Sequence, residues 1–195
     1  MILAAFDFDH TLITGDSMRA FLRYTSGNYK FWKGVVLHGP LLSAFYLKLA
    51  DRKRTKEILL TYYLGGQPMD TLQAETLRFT DEVLTGMIRP AAMRKLEWHQ
   101  AQHHTCILVT ASLSIWTQAM ADKLGLTLIA TKPEIEGGIF TGNIEGANNY
   151  GPEKVERIRE WLGDREVEAS YAYGDSRGDR EMLAWADQAF YRRFD

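Results

Sequence analysis

Two aspartates, Asp7 and Asp9, stand at the end of the apolar run at 2–5, with only Phe8 between them. In an extended chain residues i and i+2 share a face, so the two carboxylates would repel each other unless something uses the pair. A metal ion, a shared proton or a phosphate chemistry that needs both acids would do so. Similar residue types recur downstream. Thr110, Ala111 and Ser112 follow the apolar run at 105–109, and Gly174, Asp175, Ser176 and Asp179 follow the run at 169–173. Lys154 lies near the start of the helix that precedes the latter run. Carboxylates with a hydroxyl and an ammonium suit magnesium and phosphate. Magnesium takes oxygen ligands, commonly one or two carboxylates with a phosphate oxygen and waters. A carboxylate can attack phosphorus once positive charge offsets the repulsion. A second carboxylic acid can protonate the leaving oxygen and then deprotonate water. One aspartate of the pair would then be the nucleophile and the other the acid/base.

Something must hold these residues together. The run at 2–8 reads as a strand, and 16–102 reads as mostly helical. Asp16 and Ser17 can cap a helix from about Met18. Helical spacing continues over 52–63 and 70–84, with a break at Gly65-Gly66-Gln67-Pro68. A helix begins at Pro90 and runs to about His103. The texture then changes to strand at 105–110, helix at 114–124 stopped by Gly125, and strand at 126–130. A β-hairpin follows at 139–144, then helix at 152–162, strand at 169–173, helix at 179–185 and a last strand at 188–191. Alternating strands and helices predict an α/β fold, a doubly wound, Rossmann-like parallel sheet with helices on both faces. A helical insertion interrupts it after the first strand. The expected division is a core of 1–14 and 88–195 with a helical cap over 15–87. In open α/β sheets ligands bind beyond the carboxyl ends of the strands, where the aspartates, the threonine and the Gly-Asp-Ser run fall.

The bulk properties narrow the field. A chain of 195 residues is one domain, or one domain with a sizeable insertion, and needs no covalent staple to fold. Its net charge of −2 provides no electrostatic footprint for nucleic acid. The single cysteine, Cys106, cannot form an internal disulfide and reads as a small buried hydrophobe, which fits a cytoplasmic location. No secretory signal precedes the aspartates, which begin at position seven. His10 reads as a loop residue in a glycine-like position rather than an acid/base.

In this order along the chain, the motifs resemble those of the haloacid dehalogenase superfamily of phosphohydrolases. Asp7-Phe8-Asp9-His10-Thr11-Leu12 looks like the first motif, with histidine where glycine is common. Val109-Thr110-Ala111-Ser112 looks like the second, Lys154 in Gly151-Pro152-Glu153-Lys154 like the third, and Gly174-Asp175-Ser176-Arg177-Gly178-Asp179 like the fourth. The hairpin and the lysine after it resemble the branch holding phosphoserine phosphatases and lipid-phosphate phosphatases, including the phosphatidylglycerophosphatase group. The resemblance implies Asp7 as nucleophile and Asp9 as general acid/base. It implies that Thr110, Ala111 and Lys154 bind the phosphoryl group. Mg2+ would be held by Asp7, Asp175 and the main-chain carbonyl of Asp9, with Asp179 supporting that site. It also implies a cap that closes over the substrate, a phosphomonoester that is either small or a lipid phosphate.

Substrate choice is less defined. Asp16 stands where phosphoserine phosphatases carry a glutamate for the substrate amine, and it also suits a helix cap. The stretch at 31–48 is apolar and aromatic with lysines near both ends. Gly39-Pro40 breaks it, so it reads as cap core, dimer contact or a peripheral membrane contact rather than a span. A phosphomutase or phosphotransferase would use the same residues. A non-catalytic phospho-ligand binding or signalling domain is the rival from another class. Asp9 separates them, because a hydrolase needs an acid two positions after its nucleophile.

Overall fold

The computed structural model describes residues 1–194. Its centre is a sheet in the order β2-β5-β4-β3-β1-β6-β7. The strands are β1 (Ile2–Phe6), β2 (Gln67–Pro68), β3 (Thr105–Leu113), β4 (Thr127–Glu136), β5 (Ile139–Glu145), β6 (Ala169–Gly174) and β7 (Gln188–Tyr191). Pairing is parallel from β4 through β3, β1 and β6 to β7, whereas β5 runs antiparallel to both β4 and β2. The sheet is thus mixed but mostly parallel. Its parallel part has the doubly wound order in which the chain works outward from β1 in both directions.

Alternation along β1 explains why its sequence is apolar throughout. Ala4 and Phe6 join one buried cluster with Cys106, Leu108 and Tyr173, while Leu3 and Ala5 join another with Ile107, Val109 and Ala172. A strand covered on both faces has no polar side to show. The second cluster is closed by α8 (Pro152–Leu162) and α9 (Arg180–Trp185) through Val155, Ile158, Leu162 and Met182. The first is closed by α6 (Pro90–Ala101), α7 (Ser114–Leu124) and helices of the insertion. On that face Phe6, Tyr173 and Phe190 of three neighbouring strands stack at centroid distances of 4.5 and 4.8 Å.

The insertion leaves β1 after a tight turn at Phe8–Leu12 and comprises α1 (Ser17–Leu37), α2 (Gly39–Tyr46), α3 (Arg52–Leu64), α4 (Met69–Phe79) and α5 (Thr85–Met87). A wider helical turn, with i→i+5 bonding, at Thr80–Leu84 joins α4 to α5. Its two ends meet, because Ile13 bridges Ile88 and Arg89 donates its N–H to the Leu12 carbonyl at 2.9 Å. Gly27, at φ 69, interrupts α1, and His38-Gly39-Pro40 separates α1 from α2. The apolar stretch at 31–48 is therefore bent in two, and no helix among the described residues is long and apolar enough to cross a membrane.

Several boundaries differ from the sequence expectation. β1 stops at Phe6 rather than position 8. The Asp7 N–H still donates to Tyr173 O at 2.9 Å, but His10 then takes φ 59 and Ile13 N–H turns back to Phe8 O. β4 runs to Glu136 rather than 130. Its second half leaves β3 and pairs with β5, with a register shift after Pro133. The break at 65–68 contains β2, a two-residue edge strand, where proline costs no ladder bond.

Candidate active site

The proposed residues gather where the parallel strands end, beside the point at which the sheet order reverses about β1. Asp7 continues the line of β1 and is only 6% exposed. Pro152 occupies the first turn of α8, which places Lys154 in the same turn and aims it inward. The Lys154 ammonium donates to Asp7 Oδ1 and Asp179 Oδ1, both at 2.6 Å, and to Val109 O at 2.9 Å. All three of its hydrogens are thereby used, at 1% exposure. Burial alone would lower its pKa, but the two carboxylates outweigh burial and raise it.

Asp179 is held from both sides. Its second oxygen accepts from Asp175 N, Ser176 N and Ser176 Oγ at 3.2, 2.9 and 2.8 Å. Burial works against its charge, yet Lys154 and these donors keep its pKa below the usual carboxylate value. Gly174 makes the arrangement fit, since a Cβ there would lie 2.5 Å from the Asp179 Cβ. Asp175 is half-buried, and burial together with the Asp179 charge raises its pKa. Asp7 is pushed up to about 7, chiefly by burial; Lys154 pulls the other way, and the charges of Asp179 and Asp9 add to the rise.

Asp9 has different partners. Its Oδ1 accepts from Ser17 N at 2.5 Å, at the first turn of α1, and its Oδ2 accepts from Ser112 Oγ at 2.6 Å. Burial and then the charge of Asp16 raise its pKa, while these hydrogen bonds lower it. The two acids have separate partners: Asp7 is tied to an ammonium and Asp9 to hydroxyl and amide donors. Ser17 Oγ lies 3.0 Å from Ser112 Oγ and accepts from Trp116 Nε1 at 3.0 Å.

Thr110 is buried in β3, where its Oγ1 accepts from Ser112 N at 3.0 Å. Ala111 offers its carbonyl to the Thr131 hydroxyl and to Lys56, which reaches across from α3. Asp16 caps α1, with Oδ1 accepting from Arg19 N at 2.7 Å. Thus Asp7, Asp175, Asp179 and Lys154 converge, Asp9 with Ser112 lies beside them, and Asp16 stands further out on the wall of a cavity that also includes Asp9.

Three contributors escaped the sequence reading. Ser17 had a visible role as a helix-capping residue, although its bonds to the Asp9 site had no local signal. Lys56 donates to Asn148 Oδ1 at 3.1 Å and is held down to about 8 by burial, against the pull of Asp9 and Asp16. Asn149 ties β3 to β4 through Thr110 O and Ile129 O at 3.0 and 2.8 Å. Lys56 and Asn149 are ordinary helix and loop residues by spacing.

A divalent cation suits this donor set. Carboxylate oxygens of Asp7, Asp175 and Asp179 lie within 4.8 Å of one another. Hard oxygen donors at that spacing match magnesium. Asp179 already accepts four donors, so Asp7 and Asp175 are the better direct ligands, with Asp179 as support. The Thr11 hydroxyl is buried without a hydrogen-bond partner among the described residues, and Thr11 shares a cavity with Asp175. An orphaned donor there is consistent with a ligand or its waters.

The pattern of the haloacid dehalogenase-like hydrolases matches residues 4–184 and so spans all four motifs. The chain belongs to that family. Two of its relatives carry phosphatase names, a phosphoserine phosphatase and a histidinol-phosphatase. Among the relatives, protein CicA of Caulobacter vibrioides is 34% identical over 99% of this chain and 86% of its own length. The phosphoserine phosphatase SerB1 of Mycobacterium tuberculosis is 27% identical over 93% of this chain and 61% of its own. A solved structure from Bordetella pertussis Tohama I, of unknown function, superposes with a TM-score of 0.86 at 29% identity, covering 97% of this chain and 88% of that one.

Proposed function

We propose that this chain hydrolyses a phosphomonoester in two steps through an aspartyl phosphate on Asp7, with Mg2+ as cofactor. The observation that carries the reading is the separation of the two acids. Burial raises the pKa of both, but Asp7 is ion-paired with Lys154 at 2.6 Å, which favours its ionised form, whereas Asp9 makes no ion pair among the described residues and is held by Ser17 N and Ser112 Oγ. A carboxyl group beside an ammonium and another bound only by hydroxyl and amide donors suit a nucleophile and a general acid.

In the first step an Asp7 carboxylate oxygen forms a bond to phosphorus as the bond to the alcohol oxygen breaks. Asp9, protonated, passes its proton to that leaving oxygen. In the second step Asp9, now a carboxylate, takes a proton from water. The water oxygen bonds to phosphorus and the bond to Asp7 breaks, releasing phosphate. Lys154, exchanging one of its present acceptors, and the Thr110 hydroxyl would meet the phosphoryl oxygens, and Ser17 and Ser112 keep Asp9 aimed at the leaving group. A magnesium ion held by Asp7, Asp175 and the Asp9 carbonyl would supply the positive charge that lets an anion approach an anion. The helices at 15–87 would form the cap, whose two ends meet at the Ile13–Ile88 bridge.

The test is phosphate release from a panel of phosphomonoesters, with magnesium and with chelator, by the wild type and by Asp7→Asn. Release that requires magnesium and vanishes in Asp7→Asn is expected. Undiminished turnover by Asp7→Asn would overturn the assignment.

A further inference from the structure

Resting on the phosphomonoesterase reading, we propose that the alcohol part of the substrate is a long apolar chain, so that the substrate is an amphiphile such as an alkyl or acyl-bearing phosphomonoester. Asp9 protonates the leaving oxygen, so whatever that oxygen carries must extend into the space that Asp9 faces. That space is a cavity of about 480 Å³ with Asp9 and Ser112 on its wall. Leu22, Phe31, Trp32, Val35, Leu42 and Phe45 line the part formed by the insertion. A polar alcohol such as serine or a sugar would find few hydrogen-bond partners among them, whereas an alkyl chain gains by leaving water.

The same wall carries charged groups, among them Asp9, Asp16, Arg52 and Lys56. Lys56 donates only to the neutral acceptors Ala111 O and Asn148 Oδ1, and Arg52 lies over the rings of Tyr150 and Phe45 at 4.4 and 5.1 Å. Neither makes an ion pair among the described residues, and both line the cavity. The cavity thus has two cations without carboxylate partners among the described residues, on a wall that is otherwise largely apolar.

The outer surface of the same helices continues the pattern. Val36, Leu37, Tyr46, Leu47 and Leu49 are 61–80% exposed. The segment 17–50 contains Arg19, Arg23, Lys30, Lys33 and Lys48 but no aspartate or glutamate, in a chain of net charge −2. Exposed apolar side chains set among cations complement an anionic lipid surface. This face points to such a surface as the place where the substrate is taken up.

The experiment is a series of n-alkyl phosphates from ethyl to decyl, with phosphoserine and a sugar phosphate alongside, assayed with magnesium. Each methylene that enters the cavity raises kcat/KM roughly fourfold, until the cavity is filled. Leu42→Glu, on a helix that buries no side chain, lowers the octyl-to-ethyl ratio of kcat/KM more than tenfold, as does Phe45→Gln. A flat series, or a preference for phosphoserine, would overturn this proposal and leave the phosphatase reading intact. Release of phosphate from none of the esters would overturn both. A second arm presents decyl phosphate as monomers or embedded in phosphatidylglycerol or phosphatidylcholine vesicles. Faster turnover on the anionic vesicles identifies the lipid surface as the source, and faster turnover of the monomer identifies a free amphiphile. Lack of turnover of decyl phosphate in every form, with ethyl phosphate hydrolysed, would contradict the apolar-chain assignment.

Discussion

Asp7 and Asp9 are separated by a single residue, yet their surroundings divide the labour between them. Removing each should have a distinct effect. Asp7→Asn abolishes turnover because no oxygen is left to bond phosphorus. Asp9→Asn lowers kcat by roughly 10²–10⁴-fold, the range for a lost general acid/base, and the loss is smaller for esters whose alcohol leaves without a proton. Steady-state kinetics on an alkyl and a nitrophenyl ester checks this. Lys154 has a structural role as well. Lys154→Met leaves Asp7 and Asp179 buried without their cation and costs about 3–5 kcal/mol in urea unfolding. At this scale the sequence was informative, because acids at the ends of apolar runs have few uses. The separate environments of the two acids were not legible, since they depend on Ser17, Ser112 and Lys154, contacts 8 to 147 residues away in the chain.

The packing of α6 against the sheet leads to a prediction about pH. His99 on α6 is fully buried, with Nε2 2.9 Å from Tyr173 Oη and Nδ1 2.8 Å from His104 Nδ1. Burial, then the charges of His104 and Lys95, depress its pKa to about 4 from 6.5. The folded state therefore resists a proton that the unfolded chain accepts. Its contribution to stability is present above pH 6.5 and is lost as pH falls toward 4. Melting temperature should fall across that window in the wild type and less steeply in His99→Gln. The elements themselves were largely readable from periodicity and breakers: Gly125, at φ 67, ends α7, and Pro152 opens α8. Sequence reading failed where tertiary pairing overrode local signals. The strand expected to stop at 130 runs on through Pro133, at an irregularity where β4 changes partner, and β2 consists of two residues that only β5 makes a strand.

Across the whole molecule, the insertion and the sheet are joined at the acid/base. Ser17 belongs to the insertion, Asp9 follows β1, Ser112 lies near the end of β3, and Trp116 Nε1 closes the network from α7. Thr76 Oγ1 donates to Ile115 O nearby, and Phe21 stacks on Trp116 at 5.4 Å. Ser17→Ala should cost about 1–3 kcal/mol by leaving the buried indole N–H unpaired, and it should lower kcat more than it changes KM. Urea melts and kinetics on the same variant test both. The doubly wound order could be anticipated from alternating strands and helices. The cavity shared by the insertion and the sheet could not, because its walls come from helices whose mutual packing has no sequence period.

The central claim is that Asp7 carries the phosphoryl group. The most direct measurement uses Asp9→Asn, in which transfer to Asp7 from an ester with a good leaving group outpaces hydrolysis of the intermediate. The protein is mixed with such an ester and magnesium, quenched in acid, digested and examined by mass spectrometry. The predicted result is one phosphoryl group on the peptide containing Asp7, labile to hydroxylamine and absent when Asp7 is also replaced by asparagine. Stoichiometric phosphate on another residue, or steady turnover by this variant with no phosphate on the protein at any time, would contradict the account.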